Sequence, residues 1–189
     1  YYGDDTGDPA LLTGLVKWVD GPRTDVLDRT DYTYYTDTTA EHRPGDLATV
    51  TNAAGHVTAY LQYDAHGRPT QVEDANDVVT TLTWHPRGWL RTSTTDGQTT
   101  EYTYDAAGQL DRVYLPAPAA PPNGEYLDFD YDAAHRLTDI RDKAGNRLQI
   151  TPTAAGEQDL VQTRDPGGVL KRQVDYVYND LRQLETVIA

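Results

Sequence analysis

The sequence predicts an all-β protein built from repeated antiparallel β-hairpins that form one curved, spiralling sheet. Three observations predict this fold. A short unit, clearest at Thr100–Leu110, recurs along most of the chain. Polar and apolar residues alternate before each copy, as in a strand with one buried face. Turn-forming Asp, Asn and Gly then follow at regular positions, as between the strands of a meander.

In its full form the unit has an aromatic residue, then Asp, two variable residues and Gly, and some copies depart from this pattern at one or two positions. We call the aromatic residue the anchor. The clear copies are Tyr63–Pro69, Trp84–Leu90, Tyr104–Leu110, Tyr131–Leu137 and Tyr178–Leu184. The anchors at 63, 84 and 104 are 21 and 20 residues apart, and the later gaps are 27 and 47 residues. A degenerate copy with Pro152 at the anchor position lies in the longest gap. A fixed period of this kind indicates a repeat array.

The strand before each anchor, called the outgoing strand, alternates with period two. Val57, Ala59 and Leu61 are in phase with Tyr63, and Thr80 and Leu82 are in phase with Trp84. We therefore expect each anchor on the more apolar face, with its ring turned inward.

The residues after the anchor predict a hairpin turn, called the anchor turn. Asp can accept hydrogen bonds from backbone amides two residues on, and Gly adopts positive φ at low cost. The predicted structural residues are the anchors together with the Asp and Gly of these turns. They are Tyr63, Asp64, Gly67, Trp84, Gly88, Tyr104, Asp105, Gly108, Tyr131, Asp132 and Tyr178. A second set, the linking turns, is predicted at Asn52–Gly55, Asp74–Asp77, Asp96–Gly97, Asp142–Gly145 and Asp165–Gly168.

The strand after each anchor turn, called the return strand, departs from simple alternation. Its apolar residues are three apart, as in Leu110 and Val113 or Leu137 and Ile140. Strict pleating would place each pair on opposite faces. A β-bulge, or burial of both faces, would explain the spacing. A helix is the third interpretation, although these segments are short and closed by turn residues.

Domain organisation follows from where the repeats begin. Residues 1–31 form an irregular N-terminal β segment, in which Leu11–Val19 is predicted as one strand with its turn. Residues 32–189 form the array, with a Pro-rich surface insertion at 116–124. The chain has no Met and ends soon after a turn, so we expect it to be a piece of a longer protein.

Composition excludes several classes of function. The net charge of −14 disfavours nucleic-acid binding, which needs clustered Lys and Arg. The absence of Cys excludes disulfides and thiol chemistry. No apolar run is long enough to span a bilayer, and no signal peptide is present.

Catalytic, metal and cofactor sites are not predicted. The five His show no metal-ligand spacing, and Ser93, the single Ser, has no nucleophile motif around it. Gly3–Asp8 has the composition of a calcium loop but not the EF-hand spacing. We therefore expect a non-enzymatic protein.

The repeated Tyr-Asp-x-x-Gly-Arg/Gln-Leu unit resembles the YD repeat of Rhs proteins. The resemblance covers about residues 32–189, with departures at Trp84-His85, His135, Pro152 and Arg182. It implies a long sheet of hairpins that spirals into a hollow shell. In bacterial polymorphic toxins such a shell encloses a C-terminal toxin, and in animal teneurins a similar barrel belongs to adhesion proteins. The family's autoproteolytic aspartates lie near an Asp-Pro-x-Gly-Leu element, which Asp165–Leu170 matches only in part, so we assign no cleavage.

The resemblance implies a structural segment of a secreted or cell-surface bacterial Rhs protein. Its partners would be neighbouring repeats and an enclosed toxin or other cargo. A sheet with open edges would also favour edge-to-edge self-association. The alternative is an extracellular carbohydrate- or protein-binding module that uses exposed Tyr60, Trp89 and Tyr126.

Overall fold

The computed structural model describes residues 1–3, 5, 7–23, 25–26, 28–116 and 124–189. Most of the insertion predicted at 116–124 lies outside the described residues. The described residues form one 3-10 helix at Ala10–Leu12 and fifteen strands, and no α-helix. The strands are β1 (Trp18–Val19), β2 (Thr30–Tyr34), β3 (Leu47–Thr51), β4 (Val57–Tyr63), β5 (Pro69–Glu73), β6 (Val79–Trp84), β7 (Leu90–Thr95), β8 (Gln98–Tyr104), β9 (Leu110–Tyr114), β10 (Tyr126–Tyr131), β11 (Leu137–Asp142), β12 (Arg147–Pro152), β13 (Gln158–Arg164), β14 (Leu170–Tyr178) and β15 (Leu184–Ile188).

The strands follow one another in chain order in an antiparallel sheet, so the predicted all-β meander is confirmed. The chain forms two compact units. The first comprises residues 1–85 and 92–97, and the second comprises residues 86–91 and 98–189. The predicted boundary between residues 1–31 and 32–189 stays a prediction.

The single strand predicted at Leu11–Val19 is wrong. Residues 10–12 form the 3-10 helix, and only Trp18–Val19 is extended in the sheet. Pro9 precedes the helix with φ −62°, the value its ring imposes, and its carbonyl accepts the Leu12 amide at 2.9 Å. This turn buries Leu12, which is 2% exposed, and so uses an apolar residue that the alternation had assigned to a strand.

Anchor turns close the hairpins by one repeated set of hydrogen bonds. The Asp64 amide donates to the Arg68 carbonyl at 2.9 Å, and the Gly67 amide donates to the Asp64 carbonyl at 3.0 Å. Asp64 Oδ1 accepts the amides of His66 (2.8 Å) and Arg68 (3.1 Å). The linking turns that begin at Asn52, Asp74, Asp142 and Asp165 use the same backbone bonds, and at Asn52 the side-chain Oδ1 also accepts the Ala54 and His56 amides. The predicted turn chemistry therefore accounts for the anchor turns that carry Asp and for these four linking turns.

The return strands carry the β-bulge that their spacing predicted. Tyr104 pairs with Leu110, whereas its neighbour Thr103 pairs with Arg112, so one extra residue lies on β9. Pairing shifts in the same way at Tyr34, Tyr131 and Tyr178. The extra residue returns the apolar residue three positions later to the face of the first one. This rules out the helical interpretation.

One outgoing strand departs from the predicted phase. In β4, Tyr60 pairs with Val72 and Gln62 pairs with Gln71, so an extra residue lies at Leu61. A bulge of this kind reverses the alternation for the residues that follow it. Tyr63 therefore shares its face with Tyr60 and not, as predicted, with Ala59 and Leu61.

Two anchor turns lack the expected Gly but keep its conformation. His135 (φ 62°) and Arg182 (φ 61°) occupy the position that Gly67 (φ 75°) and Gly108 (φ 91°) fill elsewhere. The hydrogen bonds of the turn are retained, since the Arg182 amide donates to the Asn179 carbonyl at 2.9 Å. The turn frame thus imposes the left-handed conformation on residues that do not favour it.

Asp77 offers a test of this strain in a linking turn. Its φ is 61°, and it occupies the position that Gly55 (φ 81°) fills in the turn before. We expect Asp77→Gly to stabilise the protein by up to about 1 kcal/mol, because it removes the left-handed strain of an L-residue. Urea unfolding measures the change.

The matched reversal is Gly55→Asp. A Cβ at Gly55 meets no atom within 4 Å, so only the backbone conformation opposes the substitution. It should lower the free energy of unfolding by a similar amount. If Asp77→Gly were less stable than the native chain, the Asp77 side chain would have to stabilise the fold by more than its left-handed backbone conformation destabilises it.

The sheet faces differ in chemistry but neither is deeply buried. In the second unit Leu127, Ile140 and Leu148 lie on one face, whereas Arg112 and Asp128 lie on the other. Of the described residues, only Leu12, Gly124 and Asp139 are buried, and the apolar face is half-buried. A two-layer core of the usual kind is absent from the described residues. Stabilisation must therefore come largely from contacts within the sheet.

Candidate functional site

The anchors join each hairpin to the hairpin before it. Each anchor side chain donates a hydrogen bond to the backbone carbonyl of the first residue of the preceding return strand. The bonds run from Tyr63 to Leu47 (2.6 Å), Trp84 to Pro69 (2.8 Å), Tyr104 to Leu90 (2.9 Å), Tyr131 to Leu110 (3.0 Å) and Tyr178 to Gln158 (3.0 Å). We call this bond the anchor staple. Trp84 replaces a tyrosine without loss of the staple, because its indole N–H donates in place of the hydroxyl.

The degenerate copy has no staple from its anchor position. Pro152 ends β12 where the other hairpins have an aromatic residue. Its ring has no donor, so the Leu137 carbonyl receives no staple from this position. The pattern reappears before the first clear copy, where Tyr34 donates to the Val16 carbonyl at 2.9 Å.

Burial favours the protonated, donating form of three tyrosine anchors, Tyr63, Tyr104 and Tyr131. Burial raises the pKa of the Tyr63 phenol well above its usual range. Burial also raises the pKa of Tyr104 and of Tyr131. Since an ionised phenol cannot donate, the raised pKa values keep these three staples intact throughout the neutral pH range.

Aspartates of two anchor turns form ion pairs within the turn. Arg68 Nε donates to Asp64 Oδ2 at 2.7 Å, and Arg136 donates to Asp132 at the same distance. Burial acts to raise the pKa of Asp64, but the bonds from Arg68 and from the turn amides outweigh it, so the pKa falls to about 2. The pKa of Asp132 is also lowered, chiefly by Arg136.

The same arginines also reach the next hairpin. Arg68 Nη1 donates to the His85 carbonyl at 3.1 Å, and Arg136 Nη1 donates to the Thr153 carbonyl at 2.9 Å. His85 and Thr153 each directly follow the anchor position of their hairpin. The residue five positions after an anchor thus bridges two successive turns. We call it the bridging residue.

Other bridging residues reach the next turn by different chemistry. Gln109 Nε2 donates to the His135 carbonyl at 3.2 Å. Trp89 lies against Gly108 and Tyr104, with the Trp89 and Tyr104 ring centroids 5.1 Å apart. Gly88, in the turn before Trp89, has φ 92°. In the Asp105 turn the Gln109 carbonyl accepts the Asp105 amide at 2.9 Å.

Glu157 is the bridging residue of the degenerate copy. It forms an ion pair with Arg182 of the next turn, and Arg182 also donates to the Ala155 carbonyl at 2.6 Å. Hydrogen bonds from Arg182 and then from Thr153 lower the pKa of Glu157 to about 2. The link between these hairpins therefore depends on an ionised carboxylate.

This carboxylate gives a prediction for acid stability. In the folded protein the pKa of Glu157 is lowered to about 2 from an unfolded value of 4.5. The stabilisation that its ionised carboxylate gives the fold is therefore present in full above pH 4.5 and is lost as the pH falls through 2. We expect Glu157→Gln to be less stable than the native chain at pH 7. The difference in the free energy of unfolding between the variant and the native chain should narrow below pH 4.5 and vanish below about pH 2. Urea midpoints at pH 7, 4, 3 and 2 measure it.

Glu185→Gln is the control for this pH series, because Glu185 is exposed on β15. Its urea midpoint should follow that of the native chain at every pH. A Glu157→Gln midpoint equal to the native one at pH 7 would contradict the proposed link.

A charged cluster on the opposite face of the second unit was missed from the sequence. Asp139, only 2% exposed, pairs with Arg147, and its Oδ1 lies 3.5 Å from Arg141 Nε. Arg112 pairs with Asp128 on the strands beside it. The alternating charges along β9–β12 are the signal in the sequence that could have located this cluster.

The aromatics named for a binding module are not exposed. Tyr60, Trp89 and Tyr126 are half-buried. Trp89 packs on Gly108, and the Arg112 guanidinium carbon lies 4.2 Å from the centroid of the Tyr126 ring. Within the described part of the chain, no group of three or more His, Asp or Glu could hold a metal ion. No helix there has the length and hydropathy to cross a membrane.

The chain is similar to known proteins in part of its sequence and in its fold. Residues 45–76 and 63–99 match the family model described as RHS Repeat. No curated protein matches the chain in sequence. The crystal structure of TcdB2-TccC3-Cdc42 is similar, with a TM-score of 0.57 and 19% identity over 86% of this chain. That of TcdB2-TccC3 without the hypervariable C-terminal region gives a TM-score of 0.56 and 19% identity over 86%. This chain spans 8% of the length of each solved chain, and the likeness concerns the fold.

Proposed function

We propose that this chain is an Rhs/YD-repeat protein that forms a structural wall element of a β-shell enclosing a toxin or other cargo. The proposed role is non-enzymatic and needs no cofactor. The partners are neighbouring repeats and the enclosed cargo. The proposed setting is a secreted or cell-surface bacterial protein of the polymorphic toxin kind.

The observation that carries this proposal is the staple between successive hairpins. Each anchor binds the return strand before it, so cohesion runs along the sheet from hairpin to hairpin. A wall must hold together in this direction without a second layer behind it. Bridging residues such as Arg68 and Arg136 add a second line of links between the turns.

The chemistry of the two faces is consistent with a wall. In the second unit the apolar face, with Leu127, Phe129 and Ile140, differs from the charged face with Asp128 and Arg141. A sheet with two unlike faces suits a boundary between two different surroundings. The net charge of −14 keeps such a surface soluble.

The test uses the natural gene product as the cell makes it. We expect native protease digestion, followed by mass spectrometry, to leave an intact fragment from outside the repeats, protected together with them. Digestion after denaturation is the control and should destroy this fragment. Rapid loss of everything outside the repeats, with the repeats intact, would contradict enclosure and favour an adhesion role.

A further inference from the structure

A cavity on the apolar face of the second unit combines aliphatic side chains with hydrogen-bond donors. Its volume is about 210 Å³, and residues of β12, β13 and β14 line it. The lining residues are Leu148, Val161, Thr163, Arg172, Val174 and Tyr176. Leu148 pairs with Thr163, and Thr163 pairs with Arg172, so the guanidinium belongs to the same face of the sheet as the aliphatic residues. Among these lining residues Arg172 carries the only charge.

Three side chains of this cavity have donors that the described part of the chain does not use. No described residue accepts a hydrogen bond from the Arg172 guanidinium, the Thr163 hydroxyl or the Tyr176 hydroxyl. The arginines of the opposite face differ, since Arg112 pairs with Asp128 and Arg147 pairs with Asp139. A donor that a partner covers needs an acceptor. The cavity is therefore suited to a ligand that accepts hydrogen bonds.

The strand register fixes the order of these groups along the cavity. Arg172 and Thr163 are cross-strand partners at one end, and Tyr176 lies four residues further along β14. The next cross-strand pair, Val161 and Val174, lies between the two ends. A matching ligand has an anion at one end, an aliphatic group in the middle and a hydrogen-bond acceptor at the other end. Carboxylate suits the first end, because a guanidinium binds it through two parallel hydrogen bonds.

The size of the cavity indicates what kind of molecule carries these groups. Its volume of about 210 Å³ is below the roughly 300–1,000 Å³ of sites that enclose a whole small molecule. It therefore suits one or two groups of a larger partner. An acidic residue beside an aliphatic residue supplies the carboxylate and the apolar group, and the backbone of the same segment supplies a carbonyl acceptor.

We propose that this cavity binds a polypeptide segment in which an acidic residue lies beside an aliphatic one, with the carboxylate on Arg172 and Thr163 and the aliphatic side chain on Val161 and Val174. This inference rests on the proposed function, since it names the chemistry by which the wall holds an enclosed polypeptide. The net charge of −14 repels a carboxylate from the chain as a whole. A carboxylate that binds is therefore attracted by a local group, and Arg172 is that group.

Two peptides with acetylated and amidated ends test the need for a carboxylate. One is Leu-Glu-Leu, and the other is its neutral isostere Leu-Gln-Leu. Titration of the 189-residue chain, followed by NMR, measures both affinities. Leu-Glu-Leu should bind at least about tenfold more tightly and shift the amide resonances of Val161 and Val174, because a charge-assisted hydrogen bond is stronger than a neutral one. Equal affinities, or shifts that leave these two valines unaffected, would overturn the proposal.

Arg172→Gln tests the residue that receives the carboxylate. Arg91→Gln is the matched control, because Arg91 is also exposed and its loss changes the net charge equally. Arg172→Gln should bind the two peptides with about equal affinity, whereas Arg91→Gln should keep the preference of about tenfold. A preference that persists without Arg172, or that both substitutions abolish, would overturn the proposal. The comparison of the two peptides in the native chain stands even where a substitution disturbs the fold.

Octanoate tests a free fatty acid as the other source of an aliphatic carboxylate. Octanoate that shifts the Val161 and Val174 resonances, with no binding of Leu-Glu-Leu, would assign the cavity to a fatty acid and overturn the proposal. These titrations involve no cargo, so they are independent of the protease test. Peptide binding as expected, beside a natural protein that protects no fragment, would remove enclosure and keep the binding site. A protected fragment without peptide binding would keep enclosure and remove the site.

Discussion

Tyr104→Ala should lower the free energy of unfolding by about 2–3 kcal/mol, toward the lower end of the range for large aromatic truncations because the ring is half-buried. The substitution removes two kinds of contact. The Tyr104 ring packs on Trp89, with centroids 5.1 Å apart, and its hydroxyl donates to the Leu90 carbonyl at 2.9 Å. Urea unfolding followed by circular dichroism measures the loss.

Tyr104→Phe separates the staple from the packing. It keeps the ring against Trp89 and removes only the hydrogen bond to Leu90, so it should lower stability by about 1 kcal/mol. The rest of the Tyr104→Ala effect then belongs to the ring. An unchanged unfolding midpoint for Tyr104→Ala would refute both the inward placement of the ring and the role of the anchor in joining hairpins.

The geometry of the staple also predicts which strands lose stability when Tyr104 is truncated. Tyr104 ends β8, whereas Leu90 begins β7, so the bond joins two successive hairpins rather than the strands of one hairpin. In repeat proteins, stability depends on the contacts between neighbouring units as well as on the units themselves. Amide exchange should therefore quicken in β7 as well as in β8 when Tyr104 is truncated.

Local chemistry explains why the hairpin unit could be predicted from the sequence. The Asp-x-x-Gly turns rest on bonds between residues at most four apart, such as Asp64 and Arg68, and such spacing is visible in one copy. The bulge at Leu110 was also predictable, because the spacing of Leu110 and Val113 does not fit a flat strand. Both features depend on neighbours along the chain.

Contacts between successive hairpins could not be predicted from the sequence. The acceptor of each staple is a backbone carbonyl, which leaves no mark on residue identity, so Leu47 and Leu90 could not be named. The bulge at Leu61 was hidden because Val57, Ala59 and Leu61 alternate well on their own. The bridging position holds Arg, Trp, Gln and Glu in different copies, and its shared role appears only when the turns are placed side by side.

Gly108→Ala should lower the free energy of unfolding by about 2–3 kcal/mol, more than the same substitution at Gly67. Gly108 has φ +91°, which an L-residue adopts at a cost. Its added Cβ would also lie 2.6 Å from Trp89 Cζ2, so the indole ring would have to move. Overpacking of this kind costs a further 1–3 kcal/mol or so.

Gly67→Ala is the matched control, because Gly67 has φ +75° in the same turn position and a Cβ there meets no atom within 4 Å. It should cost only about 1 kcal/mol, the conformational part alone. The clash can also be removed by truncating Trp89, the side chain that the added Cβ would meet. In a Trp89→Ala background, Gly108→Ala should cost no more than Gly67→Ala does in the native chain. A full cost in that background would mean that backbone strain, and not the bridging Trp89 ring, sets the requirement for glycine at position 108.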